Sequence, residues 1–149
     1  MRELYRVARI AGLDVGERRI GVAVSDATGT LARPVGVVQT TGLEKDALDR
    51  AAAEIARLAQ EEDGLAALVI GLPRRLDGSA NDMTPRVQAF AKTLGVRTSL
   101  PVILQDERLT SVEAESRLAM RDKDWRSRKA RLDAAAAAII LQDYLDSQS

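Results

Sequence analysis

The chain has no cysteine and no histidine. The first absence excludes a disulfide framework and any thiolate site. The second removes Ser-His-Asp and Cys-His catalysis, together with histidine-ligated zinc. Acid–base or metal chemistry therefore falls to carboxylates, lysine, tyrosine or Ser/Thr, and carboxylates are hard oxygen ligands that suit magnesium or manganese. Aromatic residues are scarce, at 3% with a single tryptophan, which leaves little surface for stacking bases. An excess of one charge is missing as well: Lys+Arg and Asp+Glu are both 22. Proteins that coat nucleic acid are usually basic, so any phosphate contact is confined to a local face. No apolar run approaches the ~18 residues of a membrane span. The opening MRELYRVARI lacks the apolar centre of a signal peptide. These absences predict a cytoplasmic protein with no membrane partner. The length of 149 residues predicts one domain over 1–149.

What is present is organised around IAGLDVGERRIGVAVSD, Ile10–Asp26. Apolar runs flank a tight polar segment, which predicts strands Val7–Leu13 and Ile20–Ser25 joined by a hairpin. Gly16 offers a positive φ for the reversal. Asp14 then stands where the first strand ends. Val35–Thr40 reads as a third strand, so the chain opens with three antiparallel strands. Leu43–Glu62 repeats apolar residues at helical spacing. Ala66–Ile70 reads as a strand buried on both faces, as in a parallel sheet. Arg74–Met83 is a polar loop with a turn at Asp77-Gly78. A helix from Pro85 to about Leu94, a strand Pro101–Gln105 and a helix Ser111–Met120 follow, the last opened by the capping box Thr110-Ser111-Val112-Glu113. Arg121–Arg131 is charge-dense and reads as exposed. A final helix, about Lys129–Leu145, carries five consecutive alanines at Ala134–Ala138. The order β-β-β-α-β-α-β-α-α predicts an α/β fold, a mixed five-stranded sheet with helices on both faces.

Three carboxylates are awkwardly placed. Asp14 ends the first strand and Glu107 lies just past the fifth; in open α/β sheets, ligands collect at the carboxyl ends of strands. Asp133 shares a helical face with Lys129, Ala130, Ala136 and Ala137, and an aspartate beside a buried stripe loses hydration unless something compensates. A divalent metal shared by all three would compensate, and such a site suits phosphodiester cleavage. Plainer readings stand beside each. Asp14 fits a turn or cap. Asp106 and Glu107 would favour the next helix N-terminus. Asp133 would pair with a nearby cation, and Trp125 would clip the charged run onto the core.

The blocks GLDVGERRIGVAVSD, VIGLPRRLDGS, LQDERLTSVEA and LDAAAAAIILQDYLD, in that order, resemble the bacterial YqgF/RuvX family over about Ile10 to Asp146. The resemblance implies an RNase H-like fold similar to Holliday-junction resolvases of the RuvC kind. It implies a nuclease that matures the 5′ end of pre-16S rRNA or resolves branched DNA. It also implies Asp14, Glu107 and Asp133 as the catalytic and metal-binding acids, with Mg2+ or Mn2+ as cofactor. Ser127-Arg128-Lys129 is a short version of a basic run in that family. Arg18, Arg19, Arg74, Arg108, Arg126, Arg128 and Lys129 are then the expected nucleic-acid contacts, neutralising phosphates without reading sequence; Arg75, Arg121, Lys123 and Arg131 belong to the same segments. Trp125 is the one base-stacking candidate in that run. Symmetric cutting of a four-way junction would want a homodimer, which no sequence feature settles. Two rival readings remain: an actin-like nucleotide-binding protein and a nucleic-acid-binding module without catalysis.

Overall fold

The computed structural model describes residues 8–107, 112–125 and 134–148. Five strands form one sheet: β1 (Arg9–Val15), β2 (Arg19–Ser25), β3 (Ala32–Gln39), β4 (Leu65–Leu72) and β5 (Val102–Asp106). The helices are α1 (Lys45–Ala59), α2 (Met83–Thr98), α3 (Val112–Arg121) and α4 (Ala135–Ser147). Spatial order is β3-β2-β1-β4-β5. β2 runs antiparallel to both of its neighbours, β1 and β3, whereas β4 and β5 run parallel to β1. The mixed sheet expected from the element order is therefore the one found.

Alternation along the strands divides two cores. Ala11, Leu13, Val15, Leu68, Ile70 and Leu72 face α1 and α2, where they meet Ile55, Leu58, Val87, Phe90 and Leu94. On the opposite face Ala23 and Val69 pack with Ala137, Ala138, Ile140 and Leu141 of α4, and with Leu118 of α3. The small face of α4 lies unusually near the sheet. A Cβ placed on Gly12 would come within 2.7 Å of the Leu141 Cβ and 3.2 Å of the Ala137 carbonyl oxygen. Glycine there permits a backbone approach that alanine would block.

Several expectations need correcting. Gly16 does not have a positive φ; among the described residues those that do are Gly29, Gly42, Gly64, Gly78, Asp63 and Ser99. Gly16 is instead needed for space: its N–H donates to the Arg19 carbonyl at 3.0 Å, and a Cβ would stand 3.0 Å from that oxygen. The second helix runs past Leu94 to Thr98, and Gly95 within it leaves room for Val102, whose Cγ2 would stand 2.8 Å from a Cβ there. Trp125 is not exposed. Only 2% of its surface meets solvent, and it packs with α3 and α4, so the hydrophobic clip is right and base stacking by this residue is not. Ala136 is exposed, whereas Ala134, Ala137 and Ala138 are buried, so the stripe beside Asp133 is narrower than expected. Among the described residues no helix is long and apolar enough to cross a membrane.

Candidate active site

The hairpin between β1 and β2 turns within Gly16-Glu17-Arg18, and it is braced from the side. Thr40, just after β3, donates its N–H to the Arg18 carbonyl at 2.9 Å and its hydroxyl to the Glu17 carbonyl at 3.1 Å. This fixes the carboxyl end of β1. Asp14 occupies the last turn-proximal position that faces α4, in register with Gly21 of β2. Gly21 lies between Asp14 and α4: a Cβ there would stand at ordinary contact distance from both, 3.7 Å from the Asp14 Cβ and 3.5 Å from the Ala134 Cα.

Glu107 arrives from the other side. β5 ends at Asp106, one residue earlier, and Leu72 of β4 pairs with Asp106. Gly71 makes the space that Glu107 fills, since a Cβ on it would collide with the Glu107 Cγ at 2.7 Å. Asp14 and Glu107, distant in sequence, thus converge at the carboxyl ends of β1 and β5, across β4. Their carboxyl groups are hydrogen-bonded to each other.

The pair is electrostatically costly. Burial pushes the Asp14 carboxyl above its usual range; the hydrogen bond with Glu107 and the charge of Arg19 pull it back in part. Glu107 is pushed up to about 7, first by burial, then by the negative charge of Asp14, by the hydrogen bond between them and by the charge of Asp106. Two desolvated carboxyls in contact cannot both ionise cheaply, so near neutral pH they hold a proton between them.

Of the other expected site residues, Arg18, Arg19 and Arg74 are exposed around this end of the sheet. Arg19 starts β2 beside Asp14, and Arg74 forms an isolated bridge with Ala80 just beyond β4. Asp133, Arg108, Arg126, Arg128 and Lys129 lie outside the described residues, as does Arg131. Among the described residues no group of three acids is arranged to hold a metal. Arg121 does not join the site. Its guanidinium donates to the Thr30 carbonyl at 3.3 Å and pairs with Asp146 at 3.0 Å, by a pocket that also contains Ile10, at the opposite end of β1 from Asp14. Sequence reasoning missed Gly71. Its signal was available: it is a glycine inside an otherwise apolar strand, which marks a close approach.

An α/β fold with paired acids at the carboxyl ends of its parallel strands narrows the class, and comparison with known proteins completes it. Residues 8–147 match the model of a family described as RuvX, Holliday junction resolvase. A protein of Chloroflexus aurantiacus named "Putative pre-16S rRNA nuclease" is 46% identical over 93% of this chain and 87% of its own. One of the same name from Agrobacterium fabrum is 41% identical over 94% of this chain and 84% of its own. The chain belongs to the RuvX family, a family of nucleases. Among solved structures, T. thermophilus RuvC in complex with a Holliday junction substrate matches with a TM-score of 0.57 at 16% identity, over 95% of both chains. A fowlpox virus resolvase bound to Holliday junction DNA matches with a TM-score of 0.53 at 13% identity, over 94% of this chain and 98% of that one. These distant likenesses establish the resolvase-like, RNase H-type fold.

Proposed function

We propose that the chain hydrolyses phosphodiester bonds in structured nucleic acid, with Asp14, Glu107 and Asp133 as the acids of a site that takes Mg2+ or Mn2+. The observation that carries this reading is the buried contact between Asp14 and Glu107. A buried pair of like-charged groups is a poor structural device, and it becomes a good one when a cation is shared between them. The donor set fits such an ion: carboxylate oxygens are what hard divalent cations take. A divalent ion held there supplies a water of lowered pKa and shields the departing oxygen.

The chain's own residues do the rest. Asp14 and Glu107 must give up their shared proton before both can act as ligands, so occupancy rises with pH through about 7. Asp133 immediately precedes Ala134, whose Cα would lie 3.5 Å from a Cβ on Gly21, the residue paired with Asp14; that neighbourhood supports the third assignment. Arg19, whose charge reaches Asp14, and the exposed Arg18 and Arg74 on the segments that follow β1 and β4 would hold phosphates without selecting bases.

The names carried by the relatives point to a ribosomal RNA precursor, and the family description points to branched DNA. The first would place the work in the cytoplasm on the 5′ end of pre-16S rRNA. The second would want two copies of the chain, one for each cut. A side-by-side assay separates them: a precursor fragment of the 16S 5′ region and a four-way DNA junction, each with magnesium or manganese, with and without chelator. Cleavage of either, abolished by chelator and by Asp14→Asn, is the expected result. Equal cleavage by wild type and Asp14→Asn refutes the assignment. Metal-independent binding without cleavage, unchanged by replacing all three acids, would make the protein a binding module.

A further inference from the structure

The loop after β4 carries the most exposed large apolar side chain among the described residues, Leu76, 89% accessible. Single exposed leucines are ordinary, and mobile loop tips often carry them. This loop is instead tightly stitched. The Arg75 N–H donates to the Ser79 carbonyl at 2.9 Å, and the Gly78 N–H donates to the Arg75 carbonyl at 2.8 Å. One Asp77 oxygen accepts from both the Ser79 N–H at 2.9 Å and the Ser79 hydroxyl at 2.6 Å. The Arg75 guanidinium donates to the Ala80 carbonyl at 3.2 Å. Gly78 takes the positive φ, +91°, that closes the turn. At the base, the Thr84 hydroxyl donates to the Pro73 carbonyl. The loop therefore presents Leu76 to solvent in a fixed place, without covering any core.

That place is on the loop that leaves the carboxyl end of β4, the end of the sheet where the acids lie. Leu76 is five residues beyond Gly71, which touches Glu107. Even a fully extended chain limits the separation to about 18 Å, and the folded loop is shorter. At 3.4 Å per nucleotide along a strand, this is within about five nucleotides of the candidate cut. Arg74 and Arg75 precede Leu76 and are exposed; neither forms an ion pair among the described residues. The other large apolar side chains with high exposure, Val96, Leu104 and Met120, sit on α2, β5 and α3 and not on loops leaving this end of the sheet.

We propose that Leu76 is a wedge that enters the base stack where paired nucleic acid gives way to unpaired or branched strands, with Arg74 and Arg75 on the adjoining phosphates. An apolar side chain pushed between bases unstacks them and kinks the strand. A rigid mount is required, because a floppy one would fold back and spare the stack. The inference rests on the nucleic-acid reading of the site and adds how a substrate is recognised there. Leu76 is a positioning residue, not a catalytic one, and it gives shape selectivity to a protein with few aromatic residues.

The test uses 2-aminopurine, whose fluorescence rises when it is unstacked. The probe is placed next to the branch of a four-way DNA junction and, separately, at the helix end of a 16S precursor hairpin. Binding is measured with Asp14→Asn, to prevent cleavage, and with Asp14→Asn combined with Leu76→Ala or Leu76→Met. The expected result on at least one substrate is a severalfold fluorescence rise with Asp14→Asn alone, lost with Leu76→Ala and restored with Leu76→Met. Affinity should weaken by less than about tenfold, since phosphate contacts persist. An equal rise with Leu76→Ala, or no rise on either substrate with Asp14→Asn, overturns the wedge. Cleavage by the wild-type chain is scored separately, so loss of the nuclease reading is distinguishable from loss of this one.

Discussion

Replacing Asp14 with asparagine should stabilise the metal-free protein at alkaline pH and leave it unchanged in acid. In the native state Glu107 holds its proton up to about 7, against an ordinary value of 4.5. A carboxyl whose folded pKa is raised adds nothing to instability below about 4.5, where both states are protonated. Stability then falls as pH rises through about 7, because the unfolded chain releases the proton more readily. The gap of about 2.5 pH units would correspond to ~3 kcal/mol at 1.36 kcal/mol per unit. Asp14→Asn does not recover all of it. Burial, the largest cause, remains, and the partly exposed Glu107 is screened by solvent. What the substitution removes is the Asp14 charge, and it gives Glu107 an amide donor in place of a competing carboxylate. About 1 kcal/mol should return, a rise in Tm of ~2–4 °C for a chain of this size. Urea unfolding in chelator at about pH 8 and about pH 4 measures it. The reasoning fails if Asp14→Asn is less stable than wild type at the higher pH, or if the gap is the same at both. Divalent cation should then stabilise wild type more than the variant.

Four further outcomes follow from the packing. Trp125 is the only tryptophan and is buried, so intrinsic fluorescence should change little when nucleic acid binds; strong quenching would restore a stacking role. Trp125→Ala should cost ~3–5 kcal/mol by denaturant unfolding. Gln142 is fully buried, accepting from the Ala32 N–H at 2.9 Å and donating to the Thr30 carbonyl at 3.0 Å and to Asp146 at 2.9 Å; Gln142→Leu should lower stability by ~1–3 kcal/mol in a thermal melt while cleavage persists below the new Tm. Gly12→Ala and Gly21→Ala should differ. The first drives a Cβ to 2.7 Å from the Leu141 Cβ and should cost ~1–3 kcal/mol, whereas the second meets its neighbours at 3.5 Å or more and should be tolerated, as urea midpoints of the two would show.

Much of this was legible because local and tertiary signals agree. The hairpin around Asp14, the helix at Lys45–Ala59 and the alternation of strand and helix after it all follow from apolar spacing bounded by turn residues. What was not legible came from packing. The helix expected to end near Leu94 runs to Thr98, and Gly95 inside it lets Val102 pack against the backbone, a contact that apolar spacing does not reveal. Trp125 sits in a run so charged that the sequence leaves two roles open, a clip onto the core or a surface for stacking bases, and only the apolar faces of α3 and α4 decide for the clip. Arg121 lies near Asp133 in sequence but is tied by Asp146 and Thr30 to the far end of β1. In the site, the positions of Asp14 and Glu107 could be read from where strands end. Their direct hydrogen bond could not, because strand order alone does not fix which side chains touch.

The spacing of small residues accounts for why the acids can sit where they do. Gly12, Gly21 and Gly71 come from three different strands and all lie on the face turned to α4. Ala134, Ala137 and Ala138 answer them from the helix, all buried. Small residues on both surfaces bring helix and sheet close, and that closeness is what strips water from Asp14 and Glu107 and raises their pKa values. Larger residues on the strands would fill the core more generously and push α4 outward. The carboxyls would then be better hydrated and would ionise at lower pH, so a shared cation would relieve less repulsion between them. The same packing that gives the sheet its tight second core therefore also sets the electrostatics of the site. This is why the neutral, histidine-free sequence does not need a strongly basic surface to make two acids useful at one point.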